Sequence, residues 1–126
     1  MVNMTQVNAG MDQQDYEKMR TRIFEVIWNE LDPFEAEIED NEHLPLDKID
    51  PILKDIGAYG LIIPKEYGGS GMSMQQYMPI IAEFAKIHGG IRCLVHVHNS
   101  FAHALSDIGT EEQKQAVLPD AAVGER

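Results

Sequence analysis

The sequence predicts an all-α domain of five or six bundled helices. Three observations carry this. Apolar residues recur at three- and four-residue steps along most of the chain, the period of a helix face. Ser73–Gln76 and Thr110–Gln113 both fit the reciprocal capping box that opens a helix. No segment combines strict alternation with flanking hairpin turns, so strands have no signal.

Residues 1–11 are small and polar, which predicts a flexible N-terminal tail ahead of one helical domain over residues 12–126. The N-terminus lacks a basic start and an apolar core, so it does not read as a signal peptide. The first helix begins near Asp12, with Asp12 or Asp15 as its cap, and carries the stripe Tyr16, Met19, Ile23, Val26, Ile27 and Leu31. Pro33 should end or bend it, and "FEAEIEDNEH" should continue as a further helical piece whose acids form a solvated face.

The next helix lies in "LPLDKIDPILKDIGAYG", with the stripe Ile49, Ile52, Leu53 and Ile56. Pro51 suits a first turn, where its missing N–H costs nothing, and Gly57 or Gly60 supplies the stop. "LIIP" is short enough to be an extended link. The Ser73 box opens a helix to about Lys86 with a kink at Pro79, and the Thr110 box opens one to about Val117, closed by Pro119. Between them, Gly90 to Asp107 is one long helix stopped by Gly109. Ile91, Leu94, Val95, Val97, Phe101, Leu105 and Ile108 lie almost all round it, which predicts a central, buried helix.

The chain has 126 residues, one domain by length, with 44% apolar and 25% charged residues. A formal net charge of −11 argues against nucleic acid and anionic membrane surfaces, which attract Lys/Arg clusters. No run reaches the roughly 18 apolar residues that a membrane span needs. The one cysteine, Cys93, excludes an internal disulfide and suits a reducing, cytoplasmic setting.

Few residues combine into chemistry. "IIPKEYGGSGMS" lacks both the P-loop pattern and the dinucleotide spacing, so its glycines read as a reversal between helices. His88, His96, His98 and His103 cluster in sequence, but none is spaced i,i+4 from another, the spacing that aims two rings at one ion. They read as satisfied polar residues between helices. Cys93 has His96 three residues on, yet a lone helical cysteine is usually a small buried apolar group. Ser70 and Ser100 lack a nucleophile elbow. Met72, Met74 and Met78 read as pliable core filler. On these grounds the chain holds no self-contained active site.

The motifs together carry more. "GLIIPKEYGGSG" (Gly60–Gly71), "HNS" (His98–Ser100) and "GTEEQKQAVLP" (Gly109–Pro119) match, in order and spacing, segments of the N-terminal helical domain of the flavin-dependent acyl-CoA dehydrogenases. The resemblance spans residues 12 to 126, about the first third of that family's length.

It implies a helical domain that walls the acyl-chain and flavin cavity of an enzyme oxidising acyl-CoA to 2,3-enoyl-CoA. A base removes the α-proton while the β-hydrogen leaves as hydride to the flavin. FAD would belong to the complete enzyme, with none expected for this chain alone. No catalytic or cofactor-binding residue is expected here, because most of the family's flavin contacts and its catalytic glutamate lie in later domains. The chain would be a piece of a longer protein or one subunit of a split enzyme.

Anchored on Asn99–Ser100, the positions of the acyl-pocket wall fall at Cys93 and Val97, an i,i+4 pair. The residues alone fit plain helix packing equally well. The implied partners are acyl-CoA, the flavin domains, an electron-transfer flavoprotein and further copies of the subunit. A flavin-free helical module that binds a partner or a lipid-like ligand is the competing expectation. A metal-dependent hydrolase built on the histidines is a distant third.

Overall fold

Residue Asp12 accepts hydrogen bonds from Gln14 N and Asp15 N, which resolves the choice of cap for the first helix, α1 (Gln13–Val26). The computed structural model describes residues 9–125; residues 1–8 of the expected tail, and Arg126, lie outside it. The described end of that tail is held at Met11, whose N–H donates to Gln76 Oε1 (2.8 Å) and whose carbonyl accepts from Gln76 Nε2 (2.9 Å).

The first helix does not stop at Val26. It widens into a π turn, Ile27–Leu31, and tightens into a 3₁₀ turn, Asp32–Phe34, before α2 (Glu35–Asn41). Pro33 accounts for the change of pitch, since it has no N–H and its ring crowds the preceding turn. The altered coil keeps Ile23, Ile27 and Leu31 fully buried on one stripe. On α2 only Ile38 is buried, and the acids Glu35, Glu39 and Asp40 face solvent as expected.

The third helix, α3 (Leu46–Asp55), ends through Gly57, which takes the left-handed conformation (φ 71°). Pro51 lies in its second turn rather than its first, because the helix begins after Pro45, earlier than the proline alone indicated. One lost N–H is tolerated where Ile49 and Leu53 pack fully into the core. The fourth, α4 (Met74–Ile87), begins with the Ser73 box: Ser73 N donates to Gln76 Oε1 (3.1 Å) and Gln76 N to Ser73 Oγ (3.2 Å).

The long helix is α5 (Gly89–Ile108), and α6 (Glu111–Ala122) follows the Thr110 box. Pro119 does not close α6, which runs on to Ala122. Leu118, Ala121 and Ala122 are buried in its last turns, and that packing outweighs the missing hydrogen bond of the proline. Among the described residues there are six α-helices and no strand.

The glycine segment explains how these helices meet. Leu61, Ile62 and Ile63 are buried without regular structure. Buried backbone needs partners, and the segment folds back to supply them. Ser70 N donates to Gly60 O (2.8 Å), Met72 N to Leu61 O (2.9 Å) and Gly71 N to Ile63 O (2.9 Å). Gly68 (φ 93°) and Gly71 (φ 69°) make the reversal possible. Gly69 lies so close to Ile63 that an added Cβ would fall onto the Ile63 carbonyl.

The larger apolar cluster takes Leu61, Ile62 and Met72 together with α1, α3, α4 and the start of α5. A smaller cluster joins Ile63 and Tyr67 to Ala102 of α5 and to Leu118, Ala121 and Ala122 of α6. Tyr67 also donates its hydroxyl to both carboxylate oxygens of Glu111 (2.9 Å each), which ties the loop to the first turn of α6. Burial and the adjacent Glu111 carboxylate push the Tyr67 hydroxyl up to about 12. The Gln115 amide and the Tyr67 hydroxyl hold Glu111 below the usual carboxylate range.

Two outcomes follow for stability. Gly69→Ala should lower unfolding free energy by about 2–3 kcal/mol through overpacking against Ile63, whereas Gly89→Ala, with nothing near its added methyl, should raise it by about 0.5 kcal/mol; urea titrations of both variants measure this. A carboxylate held low stabilises the fold above its unfolded value of 4.5 and loses that contribution as pH falls through the lower folded value. Tyr67→Phe should therefore lower the melting temperature at pH 7, with the gap to the parent narrowing below about pH 4.5. An equal gap at pH 7 and pH 3 would place the tyrosine's contribution in ring packing alone.

Candidate functional site

The helix α5 has two faces. Ile91, Val95, Asn99 and Ala102 are buried, at steps of four, four and three, and press on the core. Cys93, Val97 and Phe101 occupy the other side at steps of four, with Ile108 farther along. Val97 is 66%, Phe101 59% and Ile108 83% exposed. Leu94 and Leu105 are half-buried.

The expectation of a helix buried all round is thus corrected. An apolar residue can be placed on a helix without a neighbour to cover it, and the outward stripe of α5 has none among the described residues. Cys93 is also exposed rather than a buried apolar group. Of the methionines read as core filler, only Met72 is buried; Met74 and Met78 are exposed.

Asn99 fixes which face turns inward. It is fully buried, and its Nδ2 donates to Ala58 O (2.7 Å) and Val95 O (2.9 Å). The first bond joins α5 to the 3₁₀ turn Ala58–Gly60, across 41 residues of sequence. Asn99 Oδ1 has no hydrogen-bond partner among the described residues. Rotating the helix would break the buried Asn99–Ala58 bond, so that bond anchors the rotation of α5 and with it the direction of Val97.

The histidines are engaged elsewhere. His96 Nδ1 shares a hydrogen bond with the Tyr77 hydroxyl (2.8 Å), and its Nε2 lies 3.4 Å from Ser100 Oγ. Burial pushes the Tyr77 hydroxyl far above its ordinary range, so it stays protonated. His98 Nε2 donates to Ala121 O (2.7 Å), and its ring packs 4.8 Å from that of Tyr59. His88 pairs with Glu39, while His103 is exposed. With both His96 nitrogens directed at Tyr77 and Ser100, the residues do not assemble a Cys93–His96 nucleophile and base. Among the described residues no three His, Cys, Asp or Glu side chains gather as a metal site.

The glycine loop is equally unavailable to an anion. The N–H groups of Gly68, Gly69, Ser70, Gly71 and Met72 all donate to backbone carbonyls. A phosphate cradle needs such groups free. The loop therefore does not fit a phosphate, while the outward residues of α5 form an exposed apolar face. The sequence pair Cys93 and Val97 shares that face, and Phe101 extends it by one more step of four. The 93, 97, 101 spacing was the available signal for Phe101, but the apolar residues around the rest of the helix obscured it.

No helix among the described residues is long and apolar enough to cross a membrane. Residues 13–125 match the family model described as the acyl-CoA dehydrogenase N-terminal domain. The chain is 35% identical over 117 residues to a short-chain specific acyl-CoA dehydrogenase of Clostridium acetobutylicum, covering 90% of this chain and 30% of that protein. It is 30% identical over 108 residues to an acryloyl-CoA reductase (NADH) of Anaerotignum propionicum, covering 86% and 26%. Among solved structures, glutaryl-CoA dehydrogenase from Mycobacterium smegmatis superposes with a TM-score of 0.76 at 31% identity, over 95% of this chain and 31% of that one. The chain spans less than a third of the length of these relatives. With the helices, the loop and the matched residues in agreement, the chain belongs to the acyl-CoA dehydrogenase family and corresponds to its N-terminal domain.

Proposed function

We propose that this domain serves an FAD-dependent enzyme that oxidises acyl-CoA thioesters to 2,3-enoyl-CoA products, and that it walls the acyl-chain cavity without catalysing the reaction alone. The outward α5 face supports this reading best. Cys93 and Val97 stand exposed on it while Asn99 locks the opposite side. An apolar ligand or a neighbouring domain would remove that face from water at a gain of about 25 cal/mol per Å².

FAD, the catalytic base and the acceptor of electrons, an electron-transfer flavoprotein, would be supplied by other domains or partners in this reading. Assembly of several copies and a cytoplasmic setting belong to it as well. A flavin-free module that binds lipid or protein through the same stripe is the alternative that the exposed face also suits.

Joining residues 1–126 to the part of the Clostridium relative that lies beyond its matched segment separates the two. The chimera should carry flavin absorbance and reduce a dye with acyl-CoA, while the 126-residue chain alone should do neither. A folded chimera that binds FAD but leaves every acyl-CoA untouched would sink the enzymatic reading and favour the module.

In the active chimera, Val97→Trp should shorten the cavity. The ratio of kcat/KM for butyryl-CoA over octanoyl-CoA should then rise about tenfold, in line with the discrimination available to an apolar pocket. An unchanged ratio would remove Val97 from the cavity wall.

A further inference from the structure

The junction of α4 and α5 is a single extended residue, His88 (φ −165°, ψ 130°). Its backbone serves both helices. His88 N donates to Phe84 O at the end of α4, and His88 O accepts from Arg92 N in the first turn of α5 (3.1 Å). Its side chain adds a second bond to α5 and reaches a third element, α2. Gly90 N donates to His88 Nδ1 (2.9 Å), the usual place of an N-cap bond, and His88 Nε2 meets Glu39 Oε1 of α2 (2.8 Å).

This arrangement fixes the ring's protonation. Nδ1 accepts from Gly90, so it carries no hydrogen. Nε2 must then hold the hydrogen that goes to Glu39. Only a neutral imidazole can do both, because a charged ring has two donors and no acceptor. Serine, threonine, aspartate and asparagine cap a helix at any pH near neutral; a histidine cap exists only in one charge state.

The first turn of α5 is poorly placed to survive without its cap. It opens with Gly89 and Gly90, which have low helix propensity. A cation at a helix N-terminus also opposes the helix dipole. The groups facing the ring across its cleft are Glu39 and Glu42 of the α2 end, His43 of the turn after it, and the N-terminus of α5 at Gly90. The carboxylates attract a charged ring while the helix end repels it. Protonation therefore pulls the ring toward α2 and away from α5.

We infer that His88 is a pH-sensitive joint: its neutral ring caps α5, and its protonation releases the cap while the Glu39 contact remains. The released turn, Gly89 to Arg92, ends one residue before Cys93. Acidification thus loosens the turn just ahead of Cys93 and leaves the middle of α5, pinned at Asn99, in place.

Nuclear magnetic resonance on the isotope-labelled 126-residue chain tests this directly. The Gly90 amide shift should follow the protonation of the His88 ring, with the same midpoint for both signals as pH is lowered. Protection of the Gly90 amide against exchange, corrected for intrinsic pH dependence, should fall about fivefold across that titration. His88→Asn, whose side-chain oxygen accepts at any pH, should keep Gly90 protected and its shift flat. Three results would overturn the proposal: a Gly90 amide that ignores the ring's titration, a ring that stays neutral down to pH 5, or a Gly90 amide that still titrates in the asparagine variant.

Discussion

The fold depends on one backbone arrangement, the return of Ser70–Met72 onto Gly60–Ile63. Three N–H groups there reach three carbonyls across the loop, so an irregular apolar segment can be buried without a strand partner. Leu61, Ile62 and Met72 then enter the larger core, while Ile63 and Tyr67 turn to the smaller one. The loop is the seam between the two apolar clusters. Its glycines supply the φ values and close approach that the return requires, and the same internal bonds leave it nothing to offer a phosphate.

That seam fixes α6, and α6 with Asn99 fixes α5. Tyr67 holds Glu111 at one end of α6, and Ala121 receives His98 near the other. Asn99 adds a fully buried polar link, to Ala58 beside the loop. The central helix is thus clamped from both sides at the level of residues 98 and 99. Its outward residues are positioned by contacts that they do not themselves make.

Much of this was legible in the sequence, where cause and effect lie a few residues apart. Both capping boxes formed because the paired atoms are separated by three residues, too short a span for tertiary contacts to overrule. The α1 stripe was legible for the same reason, although the π turn at Ile27–Leu31 was not. The prolines were harder. Pro51 and Pro119 each remove one hydrogen bond, and whether a helix survives that loss depends on distant packing, here Leu53 and Ala121. The two faces of α5 are not legible from its apolar residues, because apolarity reports what a residue avoids and not what covers it. Cys93 and Val97 share a face by their spacing of four, but the exposure of that face depends on the whole fold.

The separation of the two faces of α5 has a consequence for how such a domain diversifies. Changes at 91, 95, 99 or 102 alter packing density and are paid in stability. Changes at 93, 97 or 101 meet solvent in this domain and leave the core untouched. One helix thereby divides its positions into a packed frame and a solvent-facing set, interleaved in sequence. A combinatorial library restricted to those three positions would sample new outer shapes in an intact fold.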